Sequence, residues 1–188
     1  AQHGQPPIGY LDFVTSSDFL VDLAENWQSE FLQFFLFILA TIWLIQRGSP
    51  ESKKAGDEGV GTDEEQHVRS HARPDSPSWA KADGIRLWIY SNSLLLVMGA
   101  VFLFSWLAQS LAGQVVANEQ NAQHGMPPLS WGDYVLSAEF WNRTLQNWQS
   151  EFLAVGAMVA FSIYLRQRGS SESKPVGMPH HMSSVESE

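Results

Sequence analysis

Asn26-Trp27-Gln28-Ser29-Glu30-Phe31-Leu32 leads into an apolar run, Phe34 to Ile45, that is closed by Gln46-Arg47-Gly48-Ser49. The same words return 121 residues later. Asn147-Trp148-Gln149-Ser150-Glu151-Phe152-Leu153 precedes a second run, and Gln167-Arg168-Gly169-Ser170 closes it. Working outward, Glu51-Ser52-Lys53 matches Glu172-Ser173-Lys174, and Ala1-Gln2-His3-Gly4 with Pro6-Pro7 matches Ala122-Gln123-His124-Gly125 with Pro127-Pro128. The constant offset aligns residues 1–53 with 122–174 without a gap, so the chain holds a tandem repeat.

A bilayer core of about 30 Å needs roughly 20 helical residues. Phe31–Ile45 is short by itself, but its helix is expected to begin near Asp18. Ser16 supplies the cap and Asp18 a carboxylate in the first turn, as Ser137 and Glu139 do in the second copy. A further apolar stretch, Leu87–Leu111, precedes the second copy, and Gly113 is the expected end of its helix. The expected fold is an all-α integral membrane protein with three transmembrane helices, at about 27–46, 87–111 and 148–166. The first copy lacks a counterpart of Leu87–Leu111, so one more membrane helix is expected upstream of Ala1, giving four in a tandem parallel repeat. Residues 1–53 form the first repeat, 54–84 a polar linker, 85–174 the second repeat and 175–188 a flexible C-terminal tail. Trp27, Trp106 and Trp148 are expected at one membrane surface, and Trp43, Trp88, Tyr90 and Tyr164 at the other.

Eleven Lys and Arg set the orientation. Seven lie in 47–86 and three from Arg166 onward, against Arg143 alone elsewhere. The positive-inside rule therefore puts 47–86 and the C-terminus in the cytoplasm, and 1–26 and 114–146 in the periplasm or exterior. The net charge of −9 argues against a nucleic-acid partner. The absence of Cys excludes disulfides and thiolate chemistry.

Few side chains point to chemistry. Glu30 and Glu151 stand near the outer ends of two spans, where a carboxylate can mark an ion path. A bland interfacial carboxylate is the simpler reading. Asp22 and Arg143 occupy equivalent positions with opposite charge, on a face shared with Asn26 and Asn147, and an Asp22–Arg143 pair would tie the copies together. Arg47 and Arg168 suit both a helix C-terminus and lipid phosphate. His3 and His124 sit one per loop, a poor metal site. His67 with His71, and His180 with His181, lie in polar connectors. A cluster of Asp12, Asp133, His3 and His124 is what an enzyme would require. No histidine lies within a span, which argues against haem or a main pigment-binding role, although it leaves pigment held by other ligands open. Lipid is the expected small-molecule partner, with no catalytic residue, metal or resident cofactor. Gly156, Ala157 and Ala160 form a small-residue face that permits close helix approach.

The paired Asn-Trp-Gln-Ser-Glu-Phe-Leu words, each followed by a span and Gln-Arg-Gly-Ser-x-Glu-Ser-Lys, resemble an uncharacterised family of bacterial integral membrane proteins. The resemblance covers nearly the whole chain apart from the linker. It implies four helices in full-length members and brings no activity or catalytic residue. The expectation is a multi-pass protein of the bacterial inner membrane, a non-catalytic accessory subunit among other membrane proteins of a photosynthetic or respiratory complex. The alternative is a small transporter or channel using Glu30 and Glu151.

Overall fold

The computed structural model describes residues 9–183. Among them are six α-helices: α1 (Tyr10–Val14), α2 (Ser17–Trp43), α3 (Gly84–Ser91), α4 (Ser93–Gln123), α5 (Trp131–Val135) and α6 (Ala138–Tyr164). Two 3-10 turns, Arg69–His71 and Ser78–Lys81, lie in the connector, and no strand occurs among the described residues. The chain is all-α, as its periodicity implies.

The helix boundaries follow the repeat. α1 and α5 begin and end 121 residues apart, and so do α2 and α6. The same local chemistry starts both long helices. Ser16 Oγ accepts from the Phe19 N–H at 3.2 Å, and Ser137 Oγ from the Phe140 N–H at 3.2 Å. Each hydroxyl satisfies an amide that the first helical turn leaves without a partner.

Among the described residues, α4 alone is long and apolar enough to cross a membrane, with 17% of its most apolar window buried. α2 and α6 fall short of that measure because polar residues fill their first halves, Asp18, Asp22, Glu25, Asn26, Gln28 and Glu30 in α2.

Two expectations for the middle stretch need correction. The apolar run from Leu87 is not one helix, because Asn92 separates α3 from α4. The Asn92 side chain donates to Trp88 O at 2.8 Å and Ser93 Oγ to Tyr90 O at 2.8 Å, local bonds that compete with the helical ladder. Gly113 does not end α4, which continues to Gln123. Its missing side chain serves packing instead. A Cβ at residue 113 would meet the Tyr134 hydroxyl and lie 2.9 Å from Tyr134 Cζ.

The chain divides into two compact units, and the division falls inside each long helix. The first unit holds 9–33 and 99–151. Its core has two clusters: Val21 with Ala112 and Val116, and Ala117 with Tyr134 and Phe140, flanked by Trp106, Leu129 and Val135. Phe140 packs edge-on against Tyr134 and Trp141, with ring centroids 5.6 Å apart in each case. The loop before α5 is tied to α4. Asn118 donates to Leu129 O at 3.0 Å and accepts from its N–H at 2.7 Å, while Trp131 Nε1 donates to Ser110 Oγ at 3.0 Å. Trp27, Trp106 and Trp148 all belong to this unit.

The second unit holds 34–98 and 152–183, and with them Trp43, Trp88, Tyr90 and Tyr164. Both closing motifs fold into the same turn. The helices stop at Trp43 and Tyr164, short of these motifs, and Gly48 and Gly169 each adopt a left-handed φ of 85° in a separate turn closed by Ser49 N–H to Gln46 O and Ser170 N–H to Gln167 O. Ser52 Oγ accepts from the Gln46 N–H at 2.8 Å, and Ser173 Oγ from the Gln167 N–H at 2.9 Å. Lys174 is buried, and its Nζ donates to the carbonyls of Pro179, His180 and Met182. Arg166 adds a bond to Met178 O at 3.0 Å. Residues 184–188 of the expected tail lie outside the described residues.

Candidate functional site

The first unit buries polar side chains beside its apolar core and leaves large apolar ones outside. Gln28, Ser29, Ser105, Gln109, Ser110 and Thr144 are buried. Leu103, Phe104, Leu107 and Leu111 of the same α4 segment are exposed, Phe104 by 73%. A buried amide must find a partner or lose about 1–3 kcal/mol, and this interior pairs its amides across helices. Trp148 Nε1 of α6 donates to Gln28 Oε1 of α2 at 2.7 Å. Gln109 Nε2 of α4 donates to Thr144 Oγ1 of α6 at 3.3 Å. Phe140, Thr144 and Trp148 recur every four residues and so form one stripe of α6, two turns long. Four buried atoms beside that stripe keep no partner among the described residues: Gln28 Nε2, Gln109 Oε1, Trp106 Nε1 and the Tyr134 hydroxyl. Burial first, and the nearby Glu139 charge next, push the Tyr134 hydroxyl pKa up.

An ion pair borders this seam. Arg143 Nη1 lies 2.9 Å from Glu25 Oε1, with side chains 31% and 14% exposed, and Arg143 Nε is 3.8 Å from Glu139. The hydrogen bond to Glu25 raises the guanidinium pKa further, against the opposing effect of burial. The expected Asp22–Arg143 pair is therefore corrected to Glu25–Arg143. Asp22 is exposed, whereas Glu25 stands three residues on and is only partly exposed. Register equivalence between the copies could not distinguish these two carboxylates.

The other candidates stay apart from the seam. Glu30 is exposed on α2 and Glu151 half-buried on α6. Asn26 is exposed and donates to Asp22 O at 2.9 Å, and Asn147 is half-buried. In the second unit, Arg47 Nε reaches His181 O at 3.4 Å, while Arg168 belongs to the open concave turn from Gln167 to Val176. Lys53 Nζ donates to Gly59 O at 2.6 Å and Ile42 O at 3.3 Å, so it clamps its connector much as Lys174 does. Glu51 and Glu172, equivalent residues of the two motifs, meet. The hydrogen bond to Glu172 chiefly raises the Glu51 pKa, with burial and the Glu172 charge adding to it. His124 Nδ1 is engaged with Gln120 O at 2.8 Å, and His67 Nε2 with Arg73 at 3.0 Å. His3 lies outside the described residues, and no group of three metal-ligating side chains gathers among those described. Ser130 caps α5, its Oγ accepting from the Asp133 N–H at 3.2 Å and donating to Asp133 Oδ2 at 2.6 Å.

Sequence reading missed Gln28, Gln109, Thr144 and Glu25. One signal was available, since Gln109 is the only amide inside the apolar stretch 94–111. A lone amide in such a run costs too much to leave unpaired.

The described residues thus define an all-α protein with a buried polar seam in one unit and one helix long and apolar enough to cross a membrane. Residues 1–185 match the family model described as "Domain of unknown function (DUF6766)", and the chain belongs to that family. No curated protein and no solved structure matches it.

Proposed function

We propose that this is a multi-pass membrane protein acting as a non-catalytic structural subunit of a larger bacterial inner-membrane assembly. The observation that carries the reading is the outer face of α4, where Leu103, Phe104 and Leu107 are exposed while Ser105, Gln109 and Ser110 of the same helix are buried. A water-soluble fold gains from burying such side chains, at about 25 cal/mol per Å² of apolar surface. Exposing them is favourable where the surroundings are lipid tails. In this reading the apolar halves of α2 and α6, together with α4 from Ser93 onward, supply three spans. The Arg- and Lys-rich connectors stay cytoplasmic and the 114–146 loop faces the periplasm. The structural role is supported by side chains that spend their hydrogen bonds on each other and by small residues, Gly156 and Ala160, left exposed on α6 for another helix to approach.

Two measurements test this. Membranes washed with alkaline carbonate should retain the chain, and release into the soluble fraction overturns the membrane reading. The tagged chain extracted in mild detergent should migrate with membrane subunits in fixed stoichiometry, and migration alone overturns the subunit role.

A further inference from the structure

We propose that the first unit encloses a file of ordered water along the Phe140–Thr144–Trp148 stripe of α6. The four partnerless atoms are not scattered. Trp106 and Tyr134 both pack on Phe140, with ring centroids at 6.0 and 5.6 Å. Gln109 is bonded to Thr144 one turn further along, and Gln28 to Trp148 one turn beyond that. Two turns of helix span about 12 Å, the length of a few waters in line. Gln28, Gln109 and Tyr134 are each 0% exposed, so bulk solvent does not reach them.

The chemistry of the four atoms selects the occupant. The Trp148 bond fixes Gln28 Oε1 as the acceptor and leaves Gln28 Nε2 as a donor. Trp106 Nε1 only donates, and the Tyr134 hydroxyl does both. Gln109 Oε1 only accepts. Turning that amide over moves the unpaired atom from oxygen to nitrogen but does not remove it, because Thr144 engages one of the two in either orientation. A cation finds donors here, and an anion meets the charge of Glu25 and Glu139 that reaches Tyr134. Water accepts from some of these atoms and donates to others, and a buried water commonly makes about three such bonds. This inference requires only the packing of the first unit, so it stands apart from the cellular role proposed above.

Synchrotron hydroxyl-radical labelling of the full chain in lipid nanodiscs tests it, because radicals form where water is held. Tyr134, 0% exposed, should be labelled at a rate within about tenfold of the exposed Trp131 at the start of α5. In the Gln28→Leu/Gln109→Leu chain, labelling of Tyr134 should fall by about tenfold while Trp131 is unchanged, since an apolar lining stays dry. Wild-type Tyr134 that resists labelling means a dry seam and overturns the proposal, whether or not the variant folds. Equal labelling in the variant means solvent leaking from outside and overturns it as well.

Discussion

Replacing Gly113 with Ala adds one methyl group to α4 and places it against the most buried aromatic ring of the chain. The new carbon would meet the Tyr134 hydroxyl, with Tyr134 Cζ at 2.9 Å and Cε1 at 3.1 Å. The ring cannot swing aside easily, because Phe140 holds it edge-on and Tyr134 is 0% exposed. Overpacking of this kind costs about 1–3 kcal/mol. The Ala gains about 1 kcal/mol of helix propensity over Gly in a helix interior. The expected net loss is therefore about 0–2 kcal/mol, centred near 1 kcal/mol. Adding Tyr134→Phe removes the nearest atom, so Gly113→Ala/Tyr134→Phe should recover about 1 kcal/mol relative to Gly113→Ala alone. Tyr134→Phe by itself supplies the fourth corner of the cycle. Reversible unfolding in mixed detergent micelles, followed by Trp fluorescence, measures all four chains. If Gly113→Ala is as stable as the wild type and the cycle shows no coupling, the close approach of α4 to α5 is wrong.

Three further outcomes follow from contacts described above. Arg143→Ala and Glu25→Ala should each cost about 1–2 kcal/mol, between the values for exposed and buried pairs, whereas Asp22→Ala costs little; strict additivity of the first two removes the ion pair. Glu51 has a folded pKa above its unfolded value of 4.5. Its pairing with Glu172 therefore stabilises fully below that value, and the contribution disappears as pH rises through the folded pKa. Glu51→Gln should accordingly lose less stability than the wild type in melts from pH 4 to 7, and a larger loss contradicts the pairing. Lys174→Met leaves the carbonyls of Pro179, His180 and Met182 without their shared donor, a cost of about 1–3 kcal/mol. Proteinase K should then cut within 175–183 faster than in the wild type, and an unchanged cutting rate refutes the clamp.

Helix boundaries were legible because local chemistry sets them. Ser16 and Ser137 cap, and the repeat states that rule twice, whereas the helices stop at Trp43 and Tyr164, before Gly48 and Gly169 turn left-handed. Asn92 went unread inside the apolar stretch, and Gly113 was misread because one residue type serves two purposes. Glycine ends helices, yet it also makes room for a ring, and only the position of Tyr134 distinguishes the two. The candidate site was less legible still. Trp148 meets Gln28 and Arg143 meets Glu25 across about 120 residues of sequence, and helical periodicity says which face a side chain takes but not which neighbour it finds. The contacts of 175–183 were not legible for another reason. Composition counts apolar area, while these bonds run from a lysine and an arginine to main-chain carbonyls.

That lysine carries a consequence for reactivity. An amine whose three protons are all engaged by oxygens is a poor nucleophile, and Lys174 is 1% exposed. An acylating reagent should modify exposed Lys54 at once and leave Lys174 silent until residues 179–182 peel away. Acylation of Lys174 then works as a clock for that local release, and its rate reports how often the C-terminal segment lets go.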